Sequence, residues 1–227
     1  MRRMGVMALA LAATIAVGCN RSENRAADGP AVGTAGRADS SVSMGDRDLV
    51  RDVAHMNMAE LELSRNALQR ASDANVKKFA QMMVDDHTKA GDSLKTIAAQ
   101  HNIELPAQLD DKHRDLGEKL SAKQGLEFDK EYADAMVDGH QDFVNKLESR
   151  IDRDTLSKWK SEYERRTGDA KERADAEVKA VAVTAEKSDN PVTQALNQWA
   201  AETYPVAFAH LQAAKDMRDG VRKRSTN

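Results

Sequence analysis

Val76 to Leu94 reads VKKFAQMMVDDHTKAGDSL, and its spacing decides the fold. Val76, Phe79, Ala80, Met83, Ala90, Leu94 and, one turn on, Ile97 recur at intervals of three and four, the period of a helix with one apolar face. Ser72-Asp73 precedes the run as an N-terminal cap, and the helix is expected to continue to about Gln100. His87 stands in the middle of the apolar stripe, in line with Met83, Ala90 and Leu94. An imidazole placed there must find hydrogen-bond partners or a ligand.

The same period appears on both sides of this segment. About Gly45 to Ala71 carries Val50, Val53, Ala54, Asn57, Leu61, Ser64 and Leu68 on one face, with Glu60 at its border and Glu62 pointing away. A short third helix is expected from about Ala107 to Ala122, with Leu109, His113, Leu116 and Leu120 inward. A fourth follows from Gly125 through at least Ile151, with Tyr132, Met136, His140, Phe143 and Leu147 inward. The last runs from about Pro191 to Arg218, with Val192, Leu196, Trp199, Val206, His210 and Met217 inward and a kink expected at Pro205. Long helices joined by short turns pack as antiparallel neighbours. The 227 residues include four prolines and are 4% aromatic and 31% charged, which agrees with an all-α chain.

Between 152 and 189 the residues are mostly charged, with Leu156, Trp159, Tyr163, Val178, Val181 and Val183 as the sizeable apolar ones. This charged helical insert is expected to be poorly buried, as a projecting hairpin interrupted near Thr167-Gly168 or as an extension of the fourth helix, and it offers an arm for an envelope protein partner. Residues 44–218 make up the bundle and 219–227 a basic tail.

The N-terminus carries an address. Arg2-Arg3 precede an apolar Gly5 to Val17, too short to span a bilayer as a mature helix, and Ala16-Val17-Gly18 leads into the sole cysteine, Cys19. This resembles a bacterial lipoprotein signal, with residues 1–18 removed and Cys19 acylated. Residues 19–43 then form a Gly/Ala/Ser-rich tether. Acyl chains contribute about 0.8 kcal/mol per buried methylene, so membrane attachment would be firm. Asn20 after the cysteine resembles the outer-membrane sorting context, and the expected location is the outer membrane, facing the periplasm. Once Cys19 is acylated the chain has no thiol for disulfides or catalysis. A net charge of -3 with interspersed signs argues against nucleic acid, and no nucleophile is coupled to an oriented base.

Depth places one pair together. Glu60 and His87 lie thirteen and fourteen residues from Asp73, so both stand about 20 Å from the turn. Asp129, eleven residues before His140, is about 16 Å away along its helix and serves another purpose. Met82, Met83 and Met136 are read as core filler.

The segments MAELELSRNAL (58–68), VKKFAQMMVDDHTKA (76–90), LPAQLDDKH (105–113), FDKEYADAMVDGHQ (128–141) and YPVAFAHLQAA (204–214) together resemble the bacterial domain of unknown function 4142 family, within the ferritin-like superfamily. The resemblance implies a ferritin-like antiparallel bundle and matches recurring residues of the family to Glu60, Asp86, His87, His113, Asp129, Tyr132, His140 and His210. It brings no established reaction. Val84 and Val137 occupy the positions where a di-iron site requires glutamate, so that motif is absent. A single zinc, copper or iron ion on Glu60, His87, His140 and His210 is chemically sensible. The expected role is binding or structural, with metal-binding or redox chemistry on the histidines and adaptor function through the insert as the alternatives.

Overall fold

The computed structural model describes residues 42–166 and 182–224, which hold six helices and no strand. These are α1 (Met44–Arg70), α2 (Ala74–Gln100), α3 (Asp111–Ser121), α4 (Gly125–Glu148), α5 (Arg153–Arg166) and α6 (Pro191–Arg224). Cys19, the expected signal, the expected tether apart from the buried Val42 and the capping Ser43, the expected break at Thr167-Gly168 and Val178 and Val181 lie outside the described residues. No helix among those described is long and apolar enough to cross a membrane.

Local chemistry sets most boundaries. Ser43 caps α1 by accepting from the Asp46 amide, and Asp73 caps α2 by accepting from Asn75 and Val76. Asn102, at φ 51, ends α2 in the left-handed region that asparagine tolerates. The third helix begins at Asp111 rather than Ala107, because the Asp110 carboxylate accepts from the His113 amide and fixes the start there.

α1 pairs with α2 and α4 with α6 along extensive seams, while α1 and α4 meet more sparsely. The core is one cluster in which Val76, Ala80, Met83, Phe128, Tyr132, Leu196, Tyr204 and Ala214 are almost wholly enclosed. Asp129, fully buried, holds the α1–α2 turn: it accepts from the Ser72 amide at 3.1 Å, the Ser72 hydroxyl at 2.5 Å and the Asp73 amide at 3.0 Å. At the opposite end Asp46 accepts from Arg150 at 2.6 Å and Thr193 at 2.6 Å, joining the start of α1 to the end of α4 and the start of α6.

Four expectations need correction. The fourth helix stops at Glu148 instead of passing Ile151, because the chain there pairs with a returning segment. The Asp152 amide donates to Thr184 O and the Glu186 amide to Arg150 O, each at 2.9 Å, around an isolated Ile151–Ala185 bridge. The first half of the charged insert is mostly exposed, as expected, but it is docked through Leu156 and Trp159 rather than projecting. Trp159 of α5 is 3% exposed and packs edge-on against Tyr204 and Phe208 of α6, with Tyr163 stacked beside it. Val206 points outward, 50% exposed, because the inward stripe of α6 runs through Tyr204, Ala207, Leu211 and Ala214. The basic tail is helical as far as Arg224, where Arg222 pairs with Asp134 and Arg224 with Asp73.

Candidate metal centre

Three helices bring His87, His140 and His210 to one point. α2, α4 and α6 each carry one imidazole inward, and the ring centroids are 5.5 to 5.8 Å apart in every pairing. One nitrogen of each ring lies within 4.8 Å of the other two. His140 is wholly enclosed, and His87 and His210 are each 6% exposed. α1 supplies Glu60, whose Oε2 is 3.5 Å from His87 Nε2 and whose Oε1 is 3.2 Å from His140 Nδ1. The level predicted for Glu60 and His87 is thus the level observed.

Each ring is held by its other nitrogen. His87 Nδ1 donates to Asn57 Oδ1 at 3.1 Å, His140 Nδ1 to the Met136 carbonyl at 2.9 Å, and His210 Nε2 to Asp86 Oδ2 at 3.1 Å. These bonds fix the tautomers, leaving a lone pair on His87 Nε2, His140 Nε2 and His210 Nδ1. His87 Nε2, His140 Nε2 and Glu60 Oε2 are buried and have no hydrogen-bond partner. An orphaned buried polar atom costs about 1–3 kcal/mol, so three of them in one place are expensive unless something binds there.

Burial sets the charge states. It pulls His87 down to about 3, with His210 adding to the shift and Asp86 opposing it. Burial lowers His140 strongly, helped by the two other rings, and lowers His210 against the pull of Asp86. Burial also pushes the Glu60 carboxyl well above the usual range. Burial alone would raise Asp86, yet hydrogen bonds from Lys89 and His210 prevail and hold it below its ordinary value.

Two glycines make room for the site. A Cβ on Gly91 of α2 would stand 2.7 Å from Asn57 Nδ2, and one on Gly139 of α4 would stand 3.0 Å from Glu60 Oε1. Sequence reasoning passed over both, together with the role of Asn57. The available signal was a glycine inside a helix, which costs about 1 kcal/mol against alanine and needs a packing reason.

The remaining candidate residues lie elsewhere. Tyr132 is buried one layer toward the α1–α2 turn and shares a 2.9 Å hydrogen bond with Ser64. Burial and the nearby Glu60 raise its phenol, against the Ser64 bond. His113 is half-buried, pairs with Asp110 at 2.6 Å on α3 and is not in the cluster. His55 of α1 is half-buried with an unpartnered Nδ1. Met83 and Met136 are core, as expected.

No curated protein and no solved structure matches the chain. The match that exists spans residues 31–161, which include Glu60, Asp86, His87 and His140 but not His210. Over that length, more than half of its residues, the chain belongs to the family described as Domain of unknown function (DUF4142).

Proposed function

We propose that the bundle binds one first-row metal ion, zinc, copper or ferrous iron, through His87, His140, His210 and Glu60, in a chain anchored to the bacterial envelope through acylated Cys19. The observation that carries this reading is the convergence of one nitrogen each from His87, His140 and His210 within 4.8 Å of one another, with His87 Nε2 and His140 Nε2 unpartnered and Glu60 Oε2 3.5 Å from His87 Nε2. Imidazoles whose outer N–H groups are tied to an amide oxygen, a carbonyl and a carboxylate are oriented as metal ligands are. Tetrahedral ligands at about 2.1 Å from an ion lie roughly 3.4 Å apart. The 3.5 Å between Glu60 Oε2 and His87 Nε2 meets that spacing.

A ferritin-like di-iron pair does not fit, because Val84 and Val137 stand where its glutamates belong. The full chain, extracted in detergent without chelator, is expected to carry one metal ion per chain by elemental mass spectrometry. Protein that arrives metal-free and also takes up no added zinc, copper or ferrous iron would reduce the histidines to core residues.

The glycines give a sharper check. Gly91→Ala gains about 1 kcal/mol of helix propensity, and the end of the Asn57 side chain can move aside cheaply. His87 then loses its acceptor, so metal affinity falls by about 10- to 100-fold, while the orphaned His87 Nδ1–H offsets the propensity gain and the melting temperature holds or falls slightly. Calorimetric titration with zinc beside a thermal melt separates the two effects. Unchanged affinity would remove Asn57 from the argument.

A further inference from the structure

We propose that a divalent cation reaches the histidines through the cleft between α1, α3 and α4, with Glu60 as the carboxylate that passes it from the cleft to the rings. The inference rests on the metal reading above and adds a route to it.

The cleft encloses about 570 Å³, and Glu60 is part of its wall. α3 lies over the sparse α1–α4 seam, so the opening occurs where the bundle is least tightly closed. Asp52, Asp110, Asp138 and Asp142 line it with Glu60; Lys146 pairs with Asp52 and Lys112 with Asp142, which leaves Asp110 and Asp138 as the excess. Such an excess of carboxylates within low-dielectric walls concentrates cations and raises their association rate by about 10- to 1,000-fold.

Acidic residues alone would say little, but the Glu60 side chain is 7% exposed and its Oε2 has no partner. Gly139, also in the cleft wall, lacks the Cβ that would crowd Oε1 at 3.0 Å. The carboxylate therefore sits between the cleft on one side and His87 and His140 on the other.

The alternative routes fail on charge or size. A groove of about 550 Å³ between α2 and α6 reaches His210, but Lys78 and Arg224 outnumber Asp216 there, and Phe79, Met82 and Met217 supply apolar walls. The cavity beside His87 and Trp199 has about 20 Å³, room for a single water.

Stopped-flow mixing of the metal-free full chain with Co²⁺, a visible stand-in for zinc, tests the route. Ala135 lines the cleft and Ala213 the opposite groove. Ala135→Trp is expected to slow Co²⁺ association and chelator-driven release together, each at least tenfold, with unchanged equilibrium affinity, because a plug raises the barrier in both directions. Ala213→Trp should keep the parent rates. Asp138→Lys, on the exposed rim, should slow association several-fold and flatten its salt dependence, and it decides the matter should the tryptophan variant misfold. Parent rates in Ala135→Trp, or slowing in Ala213→Trp, would overturn the route while leaving the metal site standing. A parent chain that takes no Co²⁺ would overturn both.

Discussion

A chain carrying His140→Leu is expected to lose its metal and keep its fold. His140 is fully enclosed, and its Nε2 has no partner. Leucine nearly fills the volume of the imidazole and removes that orphaned atom, which relieves about 1–3 kcal/mol of desolvation cost. The Met136 carbonyl keeps its helical acceptor role, since it also takes the backbone amide four residues on. The metal-free variant should therefore melt at or above the parent temperature. Binding should collapse. If about 10–16 kcal/mol of metal affinity is shared by four ligands, one ligand contributes roughly 2.5–4 kcal/mol, or about 70- to 900-fold in Kd. Zinc titration and a melt in chelator read the two effects separately. Retained affinity would exclude His140 as a ligand, and a large loss of apo stability would mean that the ring serves packing instead.

The metal-free protein should lose stability steeply in mild acid. His87, His140 and His210 are all shifted down by burial, so below about pH 6.5 the unfolded chain binds protons that the native chain refuses. Each such histidine removes about 1.4 kcal/mol of stability per pH unit while its native form stays neutral. For His87, held at about 3, the loss by pH 5 is about 2 kcal/mol, and the other two rings add to it. The charged and titratable neighbours modify the profile in known directions. Glu60, raised by burial, holds its proton more firmly in the native chain than in the unfolded one, so it withdraws stability as pH rises above about 4.5. Asp86, lowered, stays charged through this window. Three histidines against one glutamate give a rising profile from pH 5 to about 6.5. Chemical denaturation of the apoprotein across pH 5 to 8 checks the shape, and a flat profile between 7 and 5 would contradict the buried neutral state. Glu60→Gln should steepen the rise.

Helical periodicity carried the sequence reading furthest where apolar residues are large. Val76, Phe79 and Met83 marked the face of α2, and His87, His140 and His210 stood out because imidazoles were set into such faces. The stripe on α6 was misplaced by a residue at Val206 because its true members beyond Tyr204 include Ala207 and Ala214, and alanine gives little signal. α5 looked solvated because the partners of Trp159 lie some forty-five residues further along, across a charged stretch. Asp86 was matched by resemblance alone, since nothing local to its helix reveals a bond to His210 across the bundle. The Met136 carbonyl that orients His140 has no letter of its own in any sequence.

The distribution of the site over the helices has a temporal meaning. Residues 31–161 match the family, yet α4 shares its most extensive seam with α6, which lies wholly beyond them. By itself the matched stretch would leave Phe143 without Trp199 and the cluster without its third imidazole. On the metal reading, a partly folded chain in which α6 is undocked would offer an incoming ion only two rings and a carboxylate. Tight capture would wait for that docking, so an occupied site would certify a finished bundle.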